Sequence, residues 1–286
     1  MIATPAVILS QFLIIIHWQE AKFGTIANVI ILASIIISYG IWSFNAMARN
    51  ELKSFLPPAT TEKMVVTREM VAGLPPVVQK WLDHSNIIGK EFVQTIHLRQ
   101  KGKMCTVAGG KWMPFEAEQY FTTQKPGFIW FTEVKAAPGI HLAGRDKYED
   151  GKGHMLIKLL SLFPVADAKG KEIDQGAMVR YLAEIVWFPS TALSNYIQWE
   201  KVDSTTAKAT MTYRRKNGIR KKAPWKIRNE IKTAIPAAAN RRVRTMDKST
   251  TGCTARLSTA MKSVRKRIKF TAKPTVNGDV HPHDRP

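Results

Sequence analysis

The side chains best suited to chemistry in this 286-residue chain fall in two short stretches. Arg180 and Glu184 are four residues apart in a segment of helical spacing, which puts guanidinium and carboxylate on one face. Trp187 follows one turn later, beside Phe188. Arg145, Asp146 and Tyr148 stand together just before an Asp–Gly turn and offer a second set of polar groups. Two kinds of chemistry fit this pattern. A carboxylate in apolar surroundings, as Glu184 is among its neighbours, can serve as a general acid or base. The same polar groups can instead ring the mouth of an apolar pocket and hold the polar end of a ligand. The plainer reading is an intrahelical ion pair and a solvated strand.

Other reactive constellations are missing from the sequence. There is no nucleophile elbow, phosphate-binding loop, dinucleotide fingerprint or HExxH pair, so no cofactor is expected. His84, His97, His141 and His154 are scattered and read as surface or strand positions, and no metal site is expected. Cys105 and Cys253 are too few and too far apart for a disulfide framework. Trp112, Phe128, Trp130, Trp187 and Trp199 read mainly as core, with some available to line a pocket.

The elements that must position these groups begin with a membrane segment over residues 1–47. The run FGTIANVIILASIIISYGIWSF, 23–44, contains no Asp, Glu, Lys, Arg or His. As a helix it measures about 33 Å, enough to cross a bilayer core of about 30 Å. Tyr39 and Trp42 suit an interfacial belt, with Arg49 and Lys53 just beyond. An earlier apolar stretch, 6–18, carries Gln11 and His17 and reads as the first arm of a helical hairpin; an interfacial segment is the alternative. Arg49, Lys53, Lys63 and Arg68 follow the anchor while residues 1–5 carry no basic side chain, so the positive-inside rule puts the remaining chain in the cytoplasm, at the cell membrane.

Residues 48–63, with Pro57–Pro58, read as a linker, and 64–213 as one α+β domain. A helical pattern over 64–82 breaks and restarts at Leu74–Pro75–Pro76. Period-two stretches follow over 92–104, 112–122 and 127–135, each bounded by Gly or Pro. The clearest hairpin joins 145–149 to 154–160 through Asp150–Gly151. Phe163–Pro164 reads as the close of that strand. A helix is predicted over 174–188 with Asp174 as its cap, then strands over 196–202 and 207–213. The expected fold is a curved antiparallel sheet with a few helices packed on one side, behind a transmembrane helix or helical hairpin, and incomplete at the C-terminus.

Four segments carry a resemblance: LPPVVQKWL (74–82), GGKWMPFEAEQYFTTQKPGFIW (109–130), GRDKYEDGKGHMLIKLLSLFPVADAKG (144–170) and RYLAEIVWFPSTAL (180–193). Over residues 74–213 the chain resembles an uncharacterised family of bacterial membrane-associated proteins, a domain of unknown function. The resemblance implies a shared fold and frequent attachment to membrane spans, and it brings no catalytic residues with it. It stops after Tyr213, where the sequence turns into a Lys, Arg, Thr and Ala mixture.

That tail holds most of the charge. Of 43 Lys and Arg and 22 acids, the last 73 residues hold 21 and 4, a net of +17 out of +21. The first 213 residues are therefore only mildly basic, and their charge does not point to a nucleic-acid-binding body. We read 214–286 as a basic tail, out of frame or without fixed structure, whose contact with polyanions would be non-specific. The alternative is a functional patch, built on 214–222, 241–244 and 265–269, for anionic lipid or RNA. The partners expected for the domain itself are membrane lipid and an apolar ligand. The candidate functions are a lipid-binding module, a scaffold subunit of a membrane complex, or a membrane-face enzyme using Glu184. Sequencing the gene tests the tail: a neighbouring frame should continue the domain's strands after Tyr213, and two neighbouring frames without such strands would refute the frame change.

Overall fold

The computed structural model describes residues 3–58, 64–105, 110–214, 220–228 and 271–274. It opens with helix α1 (Ala3–Ile16), a turn of helix α2 (Trp18–Ala21) and the long helix α3 (Gly24–Phe55). α1 folds back along α3, and polar side chains join them. Asn28 Nδ2 donates to Gln11 Oε1 at 3.1 Å, and Gln11 Nε2 donates to Thr25 Oγ1 at 3.2 Å. Such pairs hold apolar helices together where the hydrophobic effect does not.

α3 does not stop at the end of the apolar run. The first eight residues of 48–63, read as linker, are helical, and the chain leaves the helix only at Leu56, before Pro57–Pro58. The physical reason is a stripe at helical spacing. Gly40, Phe44, Glu51 and Phe55 all face the sheet, with Phe44 and Phe55 buried.

Two short helices follow, α4 (Arg68–Ala72) and α5 (Pro76–His84), separated by the expected break at Leu74–Pro75. Val77, Val78, Trp81 and Leu82 of α5 are buried. Strands β1 (Thr95–Met104), β2 (Met113–Thr122), β3 (Gly127–Ala137), β4 (Ile140–Glu149), β5 (Lys152–Leu159) and β6 (Phe163–Lys169) pair antiparallel in chain order. Phe163 thus begins a strand rather than closing one. A proline at the second position is tolerated because β6 lies at the sheet edge, where a missing N–H breaks no ladder.

Helix α6 (Lys171–Glu184) crosses the sheet and passes into two 3-10 turns, Ile185–Trp187 and Pro189–Leu193. β7 (Ile197–Lys201), β8 (Thr206–Arg214) and β9 (Arg220–Arg228) form a separate three-stranded antiparallel sheet. Thr271–Pro274 (β10) lies beside β1. Of the tail, only these short backbone stretches and Arg214 are described. Cys253, the basic clusters 241–244 and 265–269 and the frame question lie outside the described residues.

Asp174 does not cap α6, which already starts at Lys171, two residues after Lys169 has ended β6, with Gly170 at the cap position. Its Oδ1 instead accepts from the Gly153 N–H at 2.7 Å, tying the helix to the β4–β5 hairpin. Asp150 and Gly151 take the left-handed values that this turn requires, φ 49° and 71°. At Gly153 the backbones touch: a Cβ there would stand 2.5 Å from the carbonyl oxygen of Ile173. Gly153→Ala should therefore cost about 1–3 kcal/mol of unfolding free energy, as overpacking does, read from denaturant unfolding of the detergent-solubilised chain. A change of less than about 0.5 kcal/mol, the usual scale of a surface substitution, would refute the close packing.

Candidate functional site: a charged cluster between sheet and helix

The pleat of the sheet decides which side chains can meet. Leu98, Gln119, Trp130, Asp146 and Met155 lie in one row across β1 to β5, paired residue to residue. Directly paired side chains share a face, and neighbours along a strand take opposite faces. The face holding Gln119, Trp130 and Asp146 also holds Phe121, Phe128 and Tyr148, and α6 packs against it.

There Arg180 stands between two carboxylates. Its Nε donates to Glu184 Oε1 at 3.0 Å and its Nη1 donates to Asp146 Oδ2. Its guanidinium carbon lies 4.7 Å from the ring centre of Phe128 and 5.1 Å from that of Trp130, within cation–π range. Gln119 Nε2 donates to Glu184 Oε2 at 2.8 Å, Gln100 Nε2 donates to Gln119 Oε1 at 3.0 Å, and Trp130 Nε1 donates to Gln100 Oε1 at 2.9 Å. The network runs from helix to β4, β2, β1 and β3. Its three charged side chains keep 17–23% of their surface exposed, so the cluster is walled in but reaches solvent.

One guanidinium serves two carboxylates, so a fully ionised cluster carries an extra negative charge. Burial pushes both the Glu184 and the Asp146 carboxyl above the ordinary range, and the pull of Arg180 only partly offsets this. Burial works against the Arg180 charge as well, but Glu184 and Asp146 outweigh it and raise its pKa.

The structure does not gather all six residues singled out in the sequence. Asp146, Arg180 and Glu184 meet. Tyr148 is fully buried among Phe128 and Tyr181 and belongs to the core. Trp187 packs edge-on against Phe121 while 45% exposed, one helical turn from Glu184. Arg145 points to the opposite face, because consecutive strand residues alternate. It is 3% exposed there, with its Nε 3.0 Å from Glu51 Oε2 of α3, a charge contact rather than an aligned hydrogen bond. Its Nη1 donates to the His154 carbonyl at 2.9 Å and its Nη2 to His154 Nδ1 at 3.0 Å. Burial pushes the His154 imidazole down, with Asp167 opposing and Arg145 assisting; its Nε2–H then donates to Asp167 at 2.7 Å.

Gln119 and Gln100 complete the network and were not anticipated as site residues, while Trp130, read as core or pocket lining, joins it through its indole N–H. Gln119 carried a signal, a polar residue in the apolar parity Phe115, Ala117, Phe121 of its strand. Gln100 carried a weaker one, since it follows Ile96 and Leu98 in parity within a strand that is otherwise mostly polar. Among the described residues no three His, Cys, Asp or Glu side chains converge on a metal position.

An antiparallel sheet with one helix pinned across it by a charged cluster, and a long apolar helix on its back, defines an α+β domain docked on an apolar helix. A family model matches residues 64–219, more than half the chain, and the protein belongs to this family of unknown function, DUF6544. No curated protein and no solved structure matches the chain.

The raised carboxyls make stability depend on pH. A folded chain whose Glu184 pKa lies above the ordinary 4.5 retains a proton that the unfolded chain has released. The associated stability is complete below that value and is lost as pH rises through the folded pKa. Thermal unfolding of wild type should therefore show stability falling as pH climbs from 4.5. Glu184→Gln should flatten the fall; parallel curves for the two proteins would contradict it.

Proposed function

We propose that the protein is a membrane-anchored binding module for an amphiphilic or apolar ligand, held at the cell membrane with its domain on the cytoplasmic side. α3 is long and apolar enough to span a membrane. Phe23, Ile26, Val29, Ile30, Ile36 and Trp42 all stand exposed along it, where a soluble core helix would bury such side chains. Lys and Arg after the span, and none in residues 1–5, favour the cytoplasmic orientation.

The ligand reading rests on the uneven cover of the inner face. Over β3 and β4 that face is covered by Phe128, Tyr148, Tyr181 and Phe188, all fully or almost fully buried. Over β1, among the described residues, Ile96, Leu98 and Gln100 are only half-buried. This strip borders Gln119 and Glu184, so an apolar chain lying along it would bring its polar end to the excess negative charge of the cluster. A donor headgroup suits that end. Both Glu184 oxygens are already engaged, by Arg180 and Gln119, which favours holding a ligand over turning one over.

Native mass spectrometry of the full chain, released gently from detergent, should show retained lipid at near-stoichiometric amount. Leu98→Lys, which charges the strip without touching the anchor, should strip that lipid. Equal lipid retention by both proteins would assign it to the anchor helix and refute the site.

A further inference from the structure

The loops at one end of the large sheet carry apolar side chains that no described element covers. The β3–β4 turn, the β5–β6 turn and the start of β2 all lie at this end, as the pairs Val134–Leu142, Leu142–Leu159 and Leu159–Phe163 require. Exposed there are Trp112, Ile140, Phe163 and Val165, with Phe163 the most exposed at 60%. Lys111 and Lys135 stand exposed among them.

The turn between β5 and β6 is itself unusual. Leu160 and Ser161 both take left-handed values, φ 52° and 60°, where Asn–Gly or Gly–Gly would sit without strain. A leucine kept at such a position is costly for a water-facing turn. His141 Nε2 and Ser161 Oγ, 3.0 Å apart, tie this turn to the next one.

The height of this rim is set by α3. A Cβ on Gly40 would stand 2.5 Å from Leu162 Cγ and 3.3 Å from the Leu160 carbonyl oxygen, so the helix backbone and the turn touch. Gly40 precedes the end of the apolar run, Phe44, by four residues, about 6 Å of helix. Tyr39 and Trp42, the belt residues, flank the contact, with ring centres 5.9 Å apart. At the far end of the same face Phe55 lies against Gly127, so the helix runs the length of the sheet and its more N-terminal part projects beyond the rim.

We propose that this rim is seated in the bilayer that α3 spans, with Leu160, Leu162, Phe163, Val165, Ile140 and Trp112 at the boundary between headgroups and acyl chains and Lys111 and Lys135 among anionic headgroups. The domain is then a monotopic body resting on the membrane, not a sphere on a tether. The continuity of the rim with the belt of α3 identifies the occupant as lipid. The proposal rests on α3 being a membrane span, and its test separates the two.

The full chain carrying Cys105→Ser and Cys253→Ser is reconstituted in vesicles of phosphatidylcholine with phosphatidylglycerol. A nitroxide is attached in turn at Ile30→Cys, Phe163→Cys, Val165→Cys and Asp150→Cys, the last on the opposite rim. Collision with oxygen and with a water-soluble nickel chelate is measured for each. The expected result is an acyl-chain signature at 30, a boundary signature at 163 and 165 with several-fold less nickel contact than at 150, and open water at 150. Water at 163 and 165 with acyl chains at 30 overturns the rim and leaves the anchor standing. Water at all four positions overturns both. Shielding of 163 and 165 from oxygen and nickel alike marks cover by protein and also overturns the proposal.

Discussion

Arg145 and Asp146 are consecutive residues of β4, and the pleat sends them to opposite faces of the sheet. That single alternation organises the molecule. On one face Arg145 meets Glu51 of α3, and on the other Asp146 meets Arg180 of α6. Each contact is a shielded ion pair whose partners would be costly to leave alone, because a buried charge without its counterion loses solvation that nothing replaces. The sheet is thereby clamped between the long apolar helix and the helix that carries the candidate site. Apolar packing fills in around both clamps: Phe44 and Phe55 on the anchor side, Phe121, Phe128, Tyr148 and Tyr181 on the other.

This arrangement bears on the anchoring role proposed for α3. A flexible linker would leave the domain free to sample distances and orientations above a membrane. Here the helix runs unbroken from the apolar stretch onto the back of the sheet, so apolar stretch and domain share one orientation. The half-buried strip of β1, the charged cluster and the apolar rim are then held at fixed heights relative to the helix. The proposed binding of an amphiphile would gain from such pre-organisation, because orientation need not be purchased again at each binding event.

Much of this was legible in the sequence. The β4–β5 hairpin followed from Asp150–Gly151, the break between α4 and α5 from Leu74–Pro75–Pro76, and the pairing of Arg180 with Glu184 from their spacing. The losses have physical causes. β6 was hidden because Phe163–Pro164 reads as a stop unless the strand is known to be an edge. α6 began earlier than Asp174 because that carboxylate is engaged by the Gly153 amide rather than by its own helix. The helical stretch from Ala48 to Phe55 looked like linker because Glu51 finds its partner only through the fold. Grouping Arg145 with Asp146 and Tyr148 overlooked the period of two, which parts Arg145 from both. The split into two sheets, with β9 drawn from the tail, had no signal in a segment of mixed Lys, Arg and Thr.

The clamp can be measured directly as the coupling between Glu51 and Arg145. A double-mutant cycle with Glu51→Gln, Arg145→Met and the pair, followed by unfolding of the full chain in detergent micelles, isolates that interaction from its surroundings. A docked helix predicts a coupling of about 1 kcal/mol or more, with the double variant more stable than the sum of the single losses implies. Losses that add to within about 0.3–0.5 kcal/mol would mean that helix and sheet are not joined through this pair.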